Sequence, residues 1–226
     1  MKNILIKNGL VCFEDGIRQS DICLKDGLIS GFKPGVEPDE VIDATGLYIL
    51  PGMIDIHTHL DDTIGKYELA DTYKSGSEIA VLNGITTLFN FITQRKGESL
   101  NQAIETAKKK AKGNSFCNYG WHLTPTVFDE SNWKEIKNYT LNGFRTFKFY
   151  TTYRQAGIYS DYDTLDKIFG KLKDYDITFL VHCEDNGIIE EEAAKDYDNS
   201  KPFACTLLRP KIAEFRAIRK VIEIAQ

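Results

Sequence analysis

From Pro51 onward the chain alternates between short apolar, β-branched runs and longer segments of helical spacing, and no other feature constrains the fold as tightly. The extended runs are "MIDIHTH", "ITTLFNFI", "FCNYGWHLTP", "FRTFKFYT" and "ITFLVHCED". Between them lie "DTYKSGSEIAVLNG", "SLNQAIETAKKKAKG", "DESNWKEIKNYTLNG" and "DYDTLDKIFGKLKDYD", each with the period of an amphipathic helix. Two further helical stretches follow, the last being "LLRPKIAEFRAIRKVIEIAQ". Strand followed by helix, repeated, predicts an α/β protein whose parallel strands are joined by crossover helices. A doubly wound sheet and a (β/α)₈ barrel both satisfy this rhythm. Ser99 is a candidate N-cap, the lysines after it suit the negative end of that helix, and Gly84 and Gly143 are placed to close helices.

The first 50 residues have a different grain. Short apolar runs punctuated by Asn-Gly, Asp-Gly and Thr-Gly predict a small antiparallel sheet with those dipeptides at its turns. A division into residues 1–50 and 51–226 is therefore expected. The second stretch is shorter than the roughly 200 residues or more that a complete barrel takes, so about five of eight strands are expected and the chain reads as the N-terminal part of a longer protein.

Composition excludes several classes. The net charge of −5 comes without a basic stripe, which argues against nucleic acid as partner. No apolar run approaches the ~20 residues of a membrane span, and "MKNILIKNGL" has no apolar core or cleavage site of a signal peptide. Five scattered cysteines, an odd number without a CxxC pair, read as reduced thiols of a cytoplasmic protein.

The chemistry concentrates at the ends of the predicted strands. In "PGMIDIHTHL" side chains alternate, so His57 and His59 share one face while Ile54, Ile56 and Thr58 face the other, where a parallel barrel packs its helices. Two imidazoles at i and i+2 can grip one zinc ion; the plainer alternative is a pair of packed polar residues. His182, in "TFLVHCED", ends another apolar strand and reaches the same interior if the strands close into a barrel. Lys148, in "FRTFKFY", points inward while Phe147 and Phe149 point outward. Desolvation lowers the pKa of such an amine, which can then form a Schiff base, act as a base or capture carbon dioxide as a carbamate. On the residues alone, an ion pair between Lys148 and a neighbouring carboxylate is the first expectation. His122 has no second ligand near it in sequence and is expected in a core or supporting role, and Cys183 is expected to pack on the face opposite His182.

"PGMIDIHTHLD", "FRTFKFYTTY" and "LVHCED" together resemble the leading signatures of the cyclic amidohydrolases, in the hydantoinase and dihydropyrimidinase branch, and the likeness runs over the whole chain. The resemblance implies an incomplete (β/α)₈ TIM-type barrel preceded by part of a small β-sandwich. It implies two divalent metal ions, zinc by preference. His57 and His59 would hold the more buried ion and His182 the more exposed one. Lys148, as a carbamate formed with carbon dioxide, would bridge them. A hydroxide generated by the metals would attack the ring amide carbon, and Tyr153 would steady the developing oxyanion. The implied substrate is a small cyclic ureide or imide, and the implied assembly is a homo-oligomer, a tetramer by family analogy.

Two departures stand out. Dihydroorotases carry an arginine just after "HTHL", where this chain has Asp61; "HCED" replaces the more usual "HAEN" around His182. A further metal-binding histidine and aspartate of the family belong to later strands. The piece as given is therefore expected to be inactive by itself. Allantoinase or a dihydroorotase-type hydrolase is the enzymatic alternative, and a non-catalytic dihydropyrimidinase-like scaffold is the other.

Overall fold

The computed structural model describes residues 2–33, 35, 37–64, 67–198 and 200–226. The chain divides into two compact units, Met1–Met53 and Ile54–Gln226.

The first unit is one sheet of β1 (Ile4–Phe13), β2 (Gly16–Lys25), β3 (Leu28–Gly31), β4 (Glu40–Asp43) and β5 (Tyr48–Ile49). β1, β2 and β3 form the expected antiparallel meander, turning at Asp26-Gly27, where both residues have positive φ. Two expectations fail here. β4 and β5 run parallel to β1 rather than antiparallel. Asn8-Gly9 is no turn: Asn8 has φ 64°, and the register against β2 shifts between Ile6 and Gly9, so the dipeptide makes a bulge inside a continuous strand.

The second unit begins with β6 (Met53–Thr58) and a small hairpin, β7 (Thr63–Ile64) and β8 (Tyr67–Glu68). The alternation follows: α1 (Tyr73–Leu82), β9 (Ile85–Thr93), α2 (Leu100–Ala111), β10 (Asn118–Thr124), α3 (Glu130–Leu141), β11 (Thr146–Tyr150), α4 (Tyr162–Leu172) and β12 (Thr178–His182). Five parallel strands lie in the order β12-β11-β10-β9-β6, a curled sheet that makes half a barrel. The helix ends read from sequence are present. Ser99 caps α2 in a capping box with Gln102, lysines fill its last turn, and Gly84 and Gly143 follow α1 and α3 with φ of 84° and 103°.

The sheet's outer face is the core. Phe147, Phe149, Leu123 and Ile92 pack against Leu100 and Ile104 of α2, Ile136 of α3, and Leu165 and Ile168 of α4. Eight of these nine residues are at most 1 % exposed, and the ninth, Ile92, is 3 % exposed. β6 departs from this. Ile54 and Ile56, expected under helices, are 61 % and 63 % exposed.

The terminal helical region holds three helices rather than two: α5 (Asn186–Ala193), α6 (Ala204–Leu208) and α7 (Lys211–Ala225). Pro210 makes the extra break. Its ring cannot continue a helix and drives Arg209 out of helical geometry, to φ −128° and ψ 71°. Among the described residues no helix is long and apolar enough to cross a membrane.

Candidate metal centre

His57, His59, Lys148, Tyr150, Tyr153 and His182 line one recess of about 560 Å³ at the C-terminal ends of the parallel strands. His57 and His59 sit on β6 and just past it, with ring centroids 5.4 Å apart. Phe91 of β9 backs both rings, at 4.6 Å from His57 and 4.8 Å from His59. Burial, then the positive charge of Lys148, lowers the pKa of His57; burial, then His57 itself, lowers that of His59. Both imidazoles are thereby biased toward the neutral form, the one that binds metal.

Lys148 lies in the middle of β11, 7 % exposed, with Phe147 and Phe149 turned into the helical core. Its Nζ stands 5.9 Å from the centroid of Phe91 and 5.0 Å from that of Tyr150. The expected ion pair with a neighbouring carboxylate is not there: among the described residues no carboxylate acts on Lys148, and burial lowers its pKa. This is a buried amine biased toward its nucleophilic form.

Tyr150 bridges the two halves of the recess. Its ring is 5.8 Å from His182 and 5.9 Å from Tyr153, and burial pushes its pKa up to about 12. Sequence reading missed it, although it stands two residues after Lys148 on the same face of the same strand. Tyr153 lies 5.2 Å from His182, with the Arg209 guanidinium 4.8 Å over its ring. Its backbone φ of 64° is a left-handed conformation that costs a bulky residue about 1–3 kcal/mol and clusters at functional sites.

His182 Nε2 bonds Glu184 at 2.7 Å, and Glu184 also pairs with Arg209. That leaves Nδ1 as the ring nitrogen without a hydrogen bond among the described residues. The last residue of "HCED" is structural. Asp185, 6 % exposed, accepts from Ile188 N at the start of α5, meets Tyr162 Oη of α4 at 3.1 Å and pairs with Arg216 of α7 at 3.2 Å. Cys183, expected to pack away from the cavity, is half-buried just beyond β12 and shares a recess with Lys148.

Asp61 turns away from the recess. Its carboxylate accepts from Tyr73 N at 2.6 Å, at the start of α1. The neighbouring Asp62 does line the recess and pairs with Arg95, which also donates to Thr63 O at 2.9 Å. Nothing in the sequence pattern singles out this pair, whose partners are far apart in the chain. His122 is held elsewhere: Nε2 donates to Ile56 O at 2.8 Å and Nδ1 accepts from Thr146 Oγ1 at 2.6 Å, so both ring nitrogens are taken.

Among the described residues no three His, Cys, Asp or Glu side chains are grouped closely enough to hold an ion. The donors that do converge are two imidazoles with an amine whose pKa burial lowers, plus a third imidazole across the recess. The amine becomes an oxygen donor only as a carbamate, and its lack of a carboxylate partner leaves it free for that. Imidazole nitrogens and carbamate oxygens are ligand types that divalent zinc accepts.

The Amidohydrolase family model matches residues 48–222. The chain belongs to the amidohydrolase family. Among relatives of this chain, the D-hydantoinase of Geobacillus stearothermophilus is 32% identical over 227 residues, spanning 98% of this chain and 48% of that protein. The dihydropyrimidinase of Dictyostelium discoideum is 30% identical, spanning 98% and 45%. The crystal structure of dihydropyrimidinase from Brevibacillus agri superposes with a TM-score of 0.90 at 30% identity, covering 99% of this chain and 49% of that one. The chain thus spans about half the length of the curated relatives it matches. A dihydroorotase crystal structure, at TM-score 0.57 and 17% identity, shares the fold alone.

Proposed function

We propose that the protein is a metal-dependent hydrolase that opens the C–N bond of a hydantoin- or dihydropyrimidine-like ring. One observation carries this reading: His57, His59, Lys148 and His182 line the same recess, and Lys148 has no carboxylate partner there among the described residues. The likeness to proteins named D-hydantoinase and dihydropyrimidinase supplies the substrate class.

In this reading His57 and His59 would hold one divalent ion and His182 a second, with Lys148, as a carbamate, offering oxygen donors between them. The neutral amine of Lys148 would attack carbon dioxide: an N–C bond forms as one C=O π bond opens, the amine gives up a proton to water, and the carbamate's single negative charge is shared by its two oxygens. Such a pair of ions, zinc by preference, supplies a nucleophile from water at neutral pH and Lewis-acid polarisation of the ring carbonyl. Phe91 keeps the two imidazoles of β6 in place through ring contact. Tyr153, fixed by its left-handed backbone between His182 and Arg209, presents a hydroxyl donor to the carbonyl oxygen as it gains charge. Residues 1–50 contribute part of a small β-sandwich in the same reading, and 51–226 the N-terminal portion of the barrel.

The test is turnover of hydantoin and dihydrouracil by metal-replete full-length protein, with and without a chelator. Ring opening that the chelator abolishes is the expected result. A metal-replete protein that opens no ring of a broad ureide and imide panel overturns the assignment.

A further inference from the structure

Within these 226 residues, about half the length of the matched relatives, Ile54 and Ile56 on the outer face of β6 are 61 % and 63 % exposed. The strand end that presents the two imidazoles is tied by side chains of its neighbours. Thr58 Oγ1 donates to Phe89 O at 2.9 Å, and Asn90 grips Leu60 through both its N–H and its C=O, at 3.0 and 2.9 Å. The third tie is His122, 4 % exposed, which donates from Nε2 to Ile56 O at 2.8 Å. That carbonyl belongs to the peptide unit from which His57 departs.

His122 does more than hold one peptide. It lies on β10, and its Nδ1 accepts from Thr146 Oγ1 at 2.6 Å, where β11 begins. Thr146 stands two residues before Lys148, so it shares the inner face with the amine. A single imidazole thus links β6, β10 and β11 in one layer beneath the recess. The same ring is 4.9 Å from Phe91, the residue that backs both His57 and His59. A phenylalanine would fill this space without desolvating two polar nitrogens. The imidazole differs from it in the two hydrogen bonds, one toward β6 and one toward β11, two of the strands that carry proposed metal-binding residues.

We propose that His122 is a positioning residue: with Thr146 it sets the spacing between His57 on β6 and Lys148 on β11, and through Phe91 the attitude of the two imidazoles. The proposal rests on the metal-centre reading above.

Thr146→Val removes the hydroxyl at nearly constant size, and Thr146→Ser restores it. Cobalt and zinc affinities of the full-length protein are measured by chelator competition. Long-range ¹H–¹⁵N spectra of the histidine rings are recorded on metal-free protein, with thermal unfolding as control. The expected result is metal binding weakened about 10- to 100-fold in Thr146→Val and near parental in Thr146→Ser, the usual range for a group that orients a ligand. In the metal-free spectra the His57 ring resonances shift in the valine variant while those of His182 do not. Parental affinity and unmoved His57 resonances in Thr146→Val overturn the proposal, as does an equal loss in both variants. His122→Phe, which keeps the ring's bulk and neither hydrogen bond, is the second variant and is read the same way. If the parent takes up no metal, the metal-centre reading fails, while the metal-free spectra still decide whether His122 sets the position of His57.

Discussion

The ring of Phe91 lies almost parallel to that of His59, with planes 16° apart and centroids 4.8 Å apart. Phe91 is 4 % exposed and also touches His57 and His122. Removing it should therefore cost stability and loosen two imidazoles together. Phe91→Ala is expected to lower unfolding stability by about 3–5 kcal/mol. Phe91→Leu should cost far less stability yet still weaken metal binding, because bulk is kept and ring stacking is lost. Urea unfolding and chelator competition on the two variants measure the two effects separately.

Asn90 is a second such point, on the opposite face of β9. Besides gripping Leu60, its amide donates to Tyr73 Oη at 2.9 Å, and Trp121 Nε1 donates to the same oxygen at 2.8 Å. Asn90→Ala strands the Leu60 backbone groups in a site 4 % exposed in the parent. A loss of at least about 1–3 kcal/mol is expected in denaturant titration. Tyr73→Phe, which strands two donors, should fall in the same range.

Asp43 gives the first unit a pH signature. Its carboxylate accepts from Thr45 Oγ1 at 2.7 Å, from Asn8 Nδ2 at 3.0 Å and from Thr45 N at 3.1 Å. These bonds hold its pKa down to about 2, from an ordinary 3.8. A depressed carboxylate stabilises the fold above its unfolded pKa, and that contribution disappears as pH falls through the folded value. Stability tied to Asp43 should thus be complete above about pH 4 and lost toward pH 2. An NMR titration of its carboxyl carbon reads the midpoint directly. Asp43→Asn should remove the pH-dependent part in that window.

Legibility in the sequence followed the range of each interaction. The i, i+2 spacing of His57 and His59 and the aromatic flanks of Lys148 are strand-period signals, and the structure places all three on one recess. The caps of α2 and the glycines closing α1 and α3 are equally local, and they appear as read. Asn8-Gly9 misled because the dipeptide suits both a turn and a bulge, and only pairing with β2 decides between them. The break at Pro210 was visible in the residue itself but was overridden by the helical period around it. Tyr150 was missed although it lies on the same alternation that exposed Lys148. The Asp62–Arg95 and Glu184–Arg209 pairs did not, since each joins loops whose proximity only the fold creates.

The proposed role of His57, His59, Lys148 and His182 in holding metal is tested most directly by anomalous diffraction at the zinc edge, on crystals of metal-loaded full-length protein. The account predicts zinc bonded to ring nitrogens of His57 and His59, a second site at His182, and added density on Lys148 Nζ reaching both. Anomalous peaks found only elsewhere, or an unmodified Lys148 beside an empty recess, would contradict it.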